Sequence, residues 1–323
     1  MRTLDAIVLA GDSEAAVPVL GDNKAFLLYK EKPLVTWVVE ALERSETVSS
    51  ITVIGPGSRL EKSLTGYSSA KPLHVREQGR DIFENIYYGA LSTFPAYREG
   101  ATEEELKSSP ESDKAVFALT SDLPLIEPFE IDHFISTAPL DSANIVYGFT
   151  REDLLEPFTP HGVAPGEWWM YYCFKEYIAR HSNIFCFRPL HLGAVTGKYV
   201  PIIYNLRYQR HFRNVVSGLF AISRYVLTPG NLFYYFLLQI AKTSHRRGWH
   251  RLRDMIRPYV PVAVVEKRIS RLFQTSGRIL ETIGPGPTLD VDDELSYREI
   301  QERGHEWKKL QLELLEKERA AAG

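Results

Sequence analysis

Cysteine is almost missing from this chain. Its 323 residues hold two, Cys173 and Cys186. That is too few for a disulfide framework and lacks the paired spacing of a zinc site, so buried thiols are expected. The first residues carry no basic segment followed by an apolar stretch and a small-residue cleavage site, and a cytoplasmic location is expected. Charge of one sign is lacking too: 38 Lys and Arg stand against 41 Asp and Glu, a formal charge of -3, with a pI near 6.3. Nothing here draws the whole chain to nucleic acid, and no such partner is expected. There is no internal repeat. The most apolar stretch, 215–241, is broken by Arg224 and by Thr228-Pro229-Gly230-Asn231. What remains, 232–241, is about half the length that spans a bilayer.

Core helix is the plain reading of 232–241. Its aromatics and the Lys242, His245, Arg246 and Arg247 that follow suit a second reading, a peripheral membrane or lipid-like acceptor contact through 215–245.

What is present is concentrated at the front. The run Leu4-Asp5-Ala6-Ile7-Val8-Leu9-Ala10 ends in Gly11-Asp12, and Asn23-Lys24-Ala25-Phe26-Leu27 follows a polar loop. A buried strand opening into a Gly-bearing loop sets backbone N–H groups where an anion can lie. Lys24 adds a compact positive charge suited to phosphate, and the plain alternative is a solvated loop lysine. Beyond it, 33–43 has helical periodicity, 50–54 and 73–76 read as strands, 81–92 as a helix, 115–120 as a strand, 129–137 as a helix and 144–149 as a strand. Alternation of this kind predicts an α/β fold with a mainly parallel sheet, long enough for a large core in one or two domains. Ligands gather at the C-terminal ends of such strands, where Gly11 and Asp122 lie.

After about residue 150 the pattern changes. Residues 100–113 read as a polar surface insertion, 183–189 as a strand, 207–269 as mostly helix, 279–283 as a returning strand and 296–322 as a charged helix. The expected organisation is an α/β core over 1–204, a helical insertion or lid over 205–275 and a return with the late acidic segment over 276–323.

Asp122 follows a buried strand in Thr120-Ser121-Asp122-Leu123-Pro124. A carboxylate there can ligate Mg²⁺ or simply cap the next turn. Asp290, Asp292 and Asp293 cluster late, and alternation puts Asp290 and Asp292 on one side of an extended segment. The bland reading is a solvated loop with an N-cap supplied by Asp292, Asp293 or Ser296. Two separated carboxylates with a Lys and a backbone cradle make a metal–triphosphate site. Arg180 and Asn183 flank a strand and are candidate acceptor contacts, or Arg180 is a surface residue. Trp168, Trp169, Tyr171 and Tyr172 suit either core packing or an aromatic wall for a base or acceptor. Arg246, Arg247, Arg251 and Arg253 suit a solvated helix face or an acceptor phosphate.

Taken in order, these segments resemble the MobA-like NTP transferases, of the nucleotidyltransferase superfamily with a Rossmann-like, GT-A-type fold. The resemblance rests on Val8-Leu9-Ala10-Gly11-Asp12, Lys24, Glu31-Lys32-Pro33-Leu34-Val35, the Asp122 motif and, more loosely, Asp290-Val291-Asp292-Asp293-Glu294. Gln78-Gly79-Arg80 through Glu84-Asn85-Ile86 and Gly89-Ala90-Leu91 resembles the segment that closes over the nucleobase. The match covers 1–150 and returns at 179–189 and 279–300. It implies Mg²⁺-dependent transfer of NMP from an NTP to a phosphorylated or hydroxyl-bearing small molecule, with release of pyrophosphate. It implies Lys24 and Asp122 as catalytic residues, and Leu9, Ala10, Gly11, Lys24, Gly79 and Asn85 around the nucleotide. Asp122 and Asp292 would hold the metal, with Asp290 second to Asp292. The sequence departs from the family in having no Arg between Gly11 and Lys24, three acids there instead (Asp12, Glu14 and Asp22), and no Thr-Pro after Asp292. A GT-A-type glycosyltransferase using a nucleotide sugar and a catalytically degenerate nucleotide-binding protein are the rival readings.

Overall fold

Strand β1, Leu4–Leu9, is apolar at nearly every position because both of its faces are covered. Ala6 and Val8 pack on one side and Ile7 and Leu9 on the other, as a parallel strand between two helical layers requires. The structure, a computed structural model, describes residues 2–12, 18–159, 169–192 and 229–322.

A short hairpin, β2 Leu28–Tyr29 and β3 Lys32–Pro33, turns through Lys30 and Glu31, both at positive φ (46° and 63°). This is the backbone twist that two-residue hairpins prefer. Pro33 then enters α1, Leu34–Arg44, whose Val35, Val38, Val39 and Leu42 are fully buried. The chain continues through β4 Val48–Gly55, α2 Gly57–Ser63, β5 Leu73–Glu77 and α3 Ile82–Leu91. Asp81 caps α3 by accepting from the Glu84 N–H. Short helices α4 Pro95–Arg98 and α5 Glu103–Lys107 precede β6 Val116–Thr120 and α6 Pro128–Thr137. Next come β7 Ile145–Arg151, α7 Glu152–Leu155, β8 Tyr172–Cys173 and β9 Ile178–Phe187. Then follow α8 Pro229–Arg246, α9 His250–Ile256, α10 Val262–Phe273, β10 Gly277–Glu281 and α11 Glu294–Ala322.

Eight strands form one mixed, mostly parallel sheet in the order β10-β7-β9-β6-β1-β4-β5, with β8 paired to β9. Strand β9 runs antiparallel to both β6 and β7. The chain leaves β1 toward β4 and β5, then returns to β6 on the other side of β1. The crevice opened by this reversal lies at the C-terminal ends of β1 and β6.

One core lies between the sheet and α1, α2 and α6, and a second lies under α3. A third cluster joins the hairpin to α11 through Tyr29, Leu34, Phe158, Val291 and Trp307. A fourth joins α8, α9 and α10 to the far strands through Phe149, Phe174, Ala241 and Val265. Cys173 and Cys186 are both buried free thiols. Among the described residues no helix is long and apolar enough to cross a membrane.

One sequence expectation needs correction. The strand expected over 183–189 is β9 and runs from Ile178 to Phe187; its start carries the polar Arg180 and Ser182, which break the apolar pattern, and Ser182 is buried beside Thr150 and Thr288. Within the polar insertion at 100–113, α5 starts on a reciprocal Thr102–Glu105 capping box and buries Leu106. Residues 207–228 of the expected helical stretch, and Trp168, lie outside the described residues.

Candidate active site

Five side chains from four segments meet beyond the ends of β1 and β6. Lys24 begins a single 3₁₀ turn, Lys24–Phe26, which Asn23 ties down. The Asn23 side chain accepts from the Ala25 N–H at 2.9 Å and donates to the Ala10 carbonyl at 3.1 Å, so the turn hangs from the end of β1. Asp122 follows β6 after Ser121, whose N–H donates to the Leu9 carbonyl at 3.1 Å. The late acidic segment is then drawn in by the backbone: the Val291 N–H donates to the Asp122 carbonyl at 3.0 Å. Extended alternation buries Val291 in the α11 cluster and turns Asp290 and Asp292 the other way. One carboxylate oxygen from each of Asp122, Asp290 and Asp292 lies within 4.8 Å of the other two.

Two cations cross this cluster. Lys24 Nζ is 2.9 Å from Asp292 Oδ1 and 3.6 Å from Asp122 Oδ2. Arg180 Nη2 is 3.0 Å from Asp290 Oδ1 and 3.4 Å from Asp292 Oδ2. Burial works against the Lys24 ammonium, but the charges of Asp122, Asp292 and Asp290 outweigh it and hold its pKa above the usual lysine value. Among the described residues, Asp122 Oδ1 is buried with no hydrogen-bond partner, and so is Arg180 Nη1. A buried oxygen without a donor is costly in a dry site. A hard divalent cation, which takes oxygen ligands, would satisfy Asp122 Oδ1, so this donor set of three carboxylates fits Mg²⁺.

Asp293 has a different task. Its Oδ1 accepts from the Leu295 and Ser296 N–H groups, both at 2.9 Å, and so caps α11. The late cluster therefore divides: Asp293 is the cap, and Asp290 and Asp292 face Lys24 and Arg180.

The acidic segment is anchored from behind. Glu130 of α6 is buried and accepts from Glu127 N–H, Gly286 N–H and Gln311 Nε2 at 2.8–2.9 Å. Burial pushes its pKa from the usual 4.5 up to about 8, against the hydrogen bonds from Gly286 and Gln311. A Cβ at Gly284 or Gly286 would collide with the Glu130 carboxyl. The run Gly284-Pro285-Gly286-Pro287 can therefore pass between α6 and α11 only with glycine at these positions. The hydroxyls of Thr150, Ser182, Thr282 and Thr288 meet at 2.5–2.8 Å around Thr150 and pin the same segment to β7 and β9. Sequence reasoning misses Asn23 and Glu130. An Asn before a turn is a signal for the first. Nothing local announces that Glu130 is buried, because α11 covers it.

The other candidate residues gather at the neighbouring strand end. Gly11 lies against Asn85 and Gln78: a Cβ there would come within 2.8 Å of Asn85 Nδ2. Asn85 Oδ1 accepts from the Gly79 N–H at 2.6 Å. Leu9 ends β1, and the Ala10 N–H donates to the Ile54 carbonyl. A cleft of about 220 Å³ opens beside them, lined by Arg76, Gln78, Gly79, Asn85 and Tyr88 among others. Of the loop acids, Asp12 pairs with the Gln78 amide in both directions (2.8 and 2.6 Å), and Asp22 pairs with Arg59 at 2.9 Å. Glu14 lies outside the described residues. Arg180 joins the acidic cluster. Asn183 lies further along β9, and among the described residues no hydrogen bond joins it to Lys24 or the acids.

The comparisons agree with this architecture. A hypothetical transferase from Thermus thermophilus is similar in structure, at TM-score 0.54 and 21% identity, over 90% of this chain and 97% of that one. A CMP-2-keto-3-deoxy-manno-octonic acid synthetase solved with CTP gives a TM-score of 0.46 at 11% identity, over 95% and 100% of the two chains. The 4-diphosphocytidyl-2C-methyl-D-erythritol synthase of Anaerococcus prevotii gives 0.45 at 8%, over 94% and 99%. Only the first is close enough to speak for the fold. No curated protein matches the chain significantly. The model of the MobA-like NTP transferase domain matches residues 6–180, more than half of the chain. That span runs from β1 through the Lys24 turn and Asp122 to Arg180, and the chain belongs to the MobA-like NTP transferases, a family of nucleotidyltransferase enzymes.

Proposed function

We propose that this enzyme transfers a nucleoside monophosphate from an NTP to a phosphorylated or hydroxyl-bearing small molecule and releases pyrophosphate. The observation that carries the reading is the Asp122–Asp290–Asp292 cluster crossed by Lys24 and Arg180, with Asp122 Oδ1 buried and unpartnered. These three carboxylates would hold Mg²⁺, which when bound supplies Lewis-acid neutralisation of the phosphate charge. An acceptor oxygen attacks the α-phosphorus, the α–β anhydride P–O bond breaks, and the leaving oxygen takes the electron pair. A phosphate acceptor is already ionised, so no general base is needed and positioning does most of the work. Lys24, kept cationic by its carboxylate neighbours, would bind phosphate oxygens and stabilise charge on the leaving pyrophosphate. Gly11 lets the nucleotide approach the β1 end closely, and Gly79 and Asn85 would border the base in the adjoining cleft. Buried free thiols and an NTP substrate suit a cytoplasmic enzyme.

The test is a thermal-shift series with ATP, CTP, GTP and UTP, each with and without Mg²⁺, followed by pyrophosphate release. A ligand that binds only the folded state stabilises it by about 2.7 kcal/mol at a hundredfold excess over Kd. We expect a Mg²⁺-dependent shift with one NTP, lost in Lys24→Ala. A shift with a nucleotide sugar and none with any NTP overturns the reading in favour of a glycosyltransferase. Tight NTP binding without pyrophosphate release over a broad acceptor panel overturns it in favour of a degenerate binding protein.

A further inference from the structure

Eight of the thirteen large apolar side chains that are exposed among the described residues fall between 233 and 259, on α8, α9 and the turns around them. The surrounding segment is strongly basic. Residues 205–275 hold 13 Lys and Arg against two acids, Asp254 and Glu266, and the rest of the chain holds 25 against 39. We propose that α8 and α9 form a docking face for the surface of an anionic lipid bilayer. This goes beyond the transferase reading and does not depend on it.

Phe233, Phe236 and Ile240 recur at i, i+3 and i+7 on one flank of α8 and are 60%, 58% and 43% exposed. Leu252, Met255 and Tyr259 repeat that spacing through α9 and the turn after it, and Met255 is 70% exposed. The two helices already bury Ala241 and Ile256 in the cluster against β7 and β9, so these flanks are surplus to the core. Apolar surface concentrated in this way marks an interaction site. The charges are left for a partner as well. Glu266 is buried and accepts from the Ile279 N–H at 2.8 Å, and Asp254 is held by Arg253 and Arg257. Lys242 and Arg268 are already engaged, over the Tyr172 and Tyr234 rings. Arg246, Arg247, Arg251, Lys267 and Arg271 are exposed, and none pairs with a carboxylate among the described residues.

This mixture suits a lipid surface. Phe, Ile, Leu and Met side chains enter the boundary between headgroups and acyl chains, while arginines keep their heads among the lipid phosphates. Trp249 sits in the short connection between α8 and α9, with the Arg247 guanidinium over its ring at 5.0 Å, and tryptophan favours the headgroup level of a bilayer. A nucleic acid also offers phosphates, but it uses aromatic rings for stacking and leaves Ile240, Leu252 and Met255 without a partner. Charges are felt over about 8 Å at physiological salt. The acidic remainder of the molecule, turned away from the bilayer, therefore orients the protein without cancelling the attraction. No helix among the described residues is long and apolar enough to cross a membrane, so the contact proposed is peripheral.

The test is co-sedimentation of the full chain with phosphatidylcholine vesicles, with and without phosphatidylglycerol, at low and high salt. Wild type is compared with Arg247→Glu plus Arg251→Glu and with Phe233→Ser plus Phe236→Ser, all at exposed positions. Should the glutamate pair fail to fold, Arg247→Gln plus Arg251→Gln asks the same question. We expect wild type to bind the phosphatidylglycerol vesicles, to ignore phosphatidylcholine alone and to be released by salt. The glutamate pair weakens binding by about thirtyfold, the worth of two arginines at an anionic surface. The serine pair weakens it by about tenfold or more. Failure of wild type to bind phosphatidylglycerol vesicles, or equal binding by wild type and the glutamate pair, overturns the proposal. So does binding to a DNA or RNA oligonucleotide in place of vesicles, which gives the face to nucleic acid. A dimer in sedimentation velocity that the serine pair dissociates, with no vesicle binding, overturns it in favour of a second copy of this chain. Vesicle binding without any NTP shift leaves the docking face standing and removes the transferase reading, and the opposite pair of results does the reverse.

Discussion

The acidic cluster and a cleft of about 210 Å³ between the 169–171 segment and α8 are linked through Trp169, which lines the cleft and packs on Arg180, yet they are built by opposite means. The cluster takes Lys24, Asp122, Arg180, Asp290 and Asp292 from four segments spread over most of the chain, and the side chains are 4–29% exposed. Each charge there leans on another, and the segments are fixed by backbone hydrogen bonds and by the buried Glu130. The cleft draws half its lining from one face of one helix and ends in the exposed Arg246. A region of the first kind resists change because moving one segment disturbs several buried charges at once. A region of the second kind can change by single substitutions on a helix that keeps its fold.

The strongest way to break this contrast is Asp122→Asn. Transfer should fall by roughly 10³-fold, measured as pyrophosphate release. The melting curve should barely move, because the Asp122 main-chain carbonyl, not its carboxylate, accepts from Val291. Retained turnover would remove the cluster from the chemistry.

Gly286→Ala attacks the scaffold behind the cluster. The added Cβ meets Glu130 and Gln311, and overpacking of this kind costs about 1–3 kcal/mol, read from denaturant melts. The Mg²⁺–NTP shift should weaken along with it, since Gly286 lies on the segment that delivers Asp290. An unchanged melt would mean that the α6–α11 clamp has slack.

A pH series sharpens the comparison further. Glu130 holds its proton up to about 8 in the folded state and releases it near 4.5 in the unfolded chain. Between those values the native state binds more protons, so stability contributed by this group is complete below 4.5 and is lost as pH rises through 8. Gln311 Oε1, buried without a partner, would accept from the protonated carboxyl once its amide turns. Glu130→Gln should flatten the fall in melting temperature over that window, whatever it does to the absolute value. Parallel slopes in the two proteins would show that Glu130 does not titrate there.

The smallest effect is expected on the outer flank of α8. Phe233→Ser with Phe236→Ser should change stability by no more than about 0.5 kcal/mol, because both rings already lie in solvent. A larger loss in a thermal melt would mean that this flank is covered in the folded chain.

Much of this was legible in the chain itself. The alternation of apolar strands and amphipathic helices up to residue 150 predicts the parallel half of the sheet, since burial on both faces leaves a continuous apolar run that cannot be disguised. Gly11, Lys24 and Asp122 stand out because strand ends in such a sheet converge on ligands. The late acids were harder. Period-two alternation pairs Asp290 with Asp292, but only the capping bonds to Leu295 and Ser296 separate Asp293 from them. Arg180 reads equally well as a surface residue until Asp290 and Trp169 are seen around it. Glu130 reads as an ordinary first-turn acid of α6, because its burial is made by Gly286 and Gln311, more than 150 residues away.

By itself, then, the sequence determined the local elements, the strand ends that carry chemistry and the polar and apolar faces of α8, since these depend on neighbours within a few residues. Tertiary structure alone decided that Asp293 leaves the acidic site to cap α11, that Lys24 and Arg180 both cross that site, and that a basic helix face meets an aromatic segment across a cleft. Those are contacts between distant segments, set by the order of strands in the sheet and by close packing, and no local spacing encodes them.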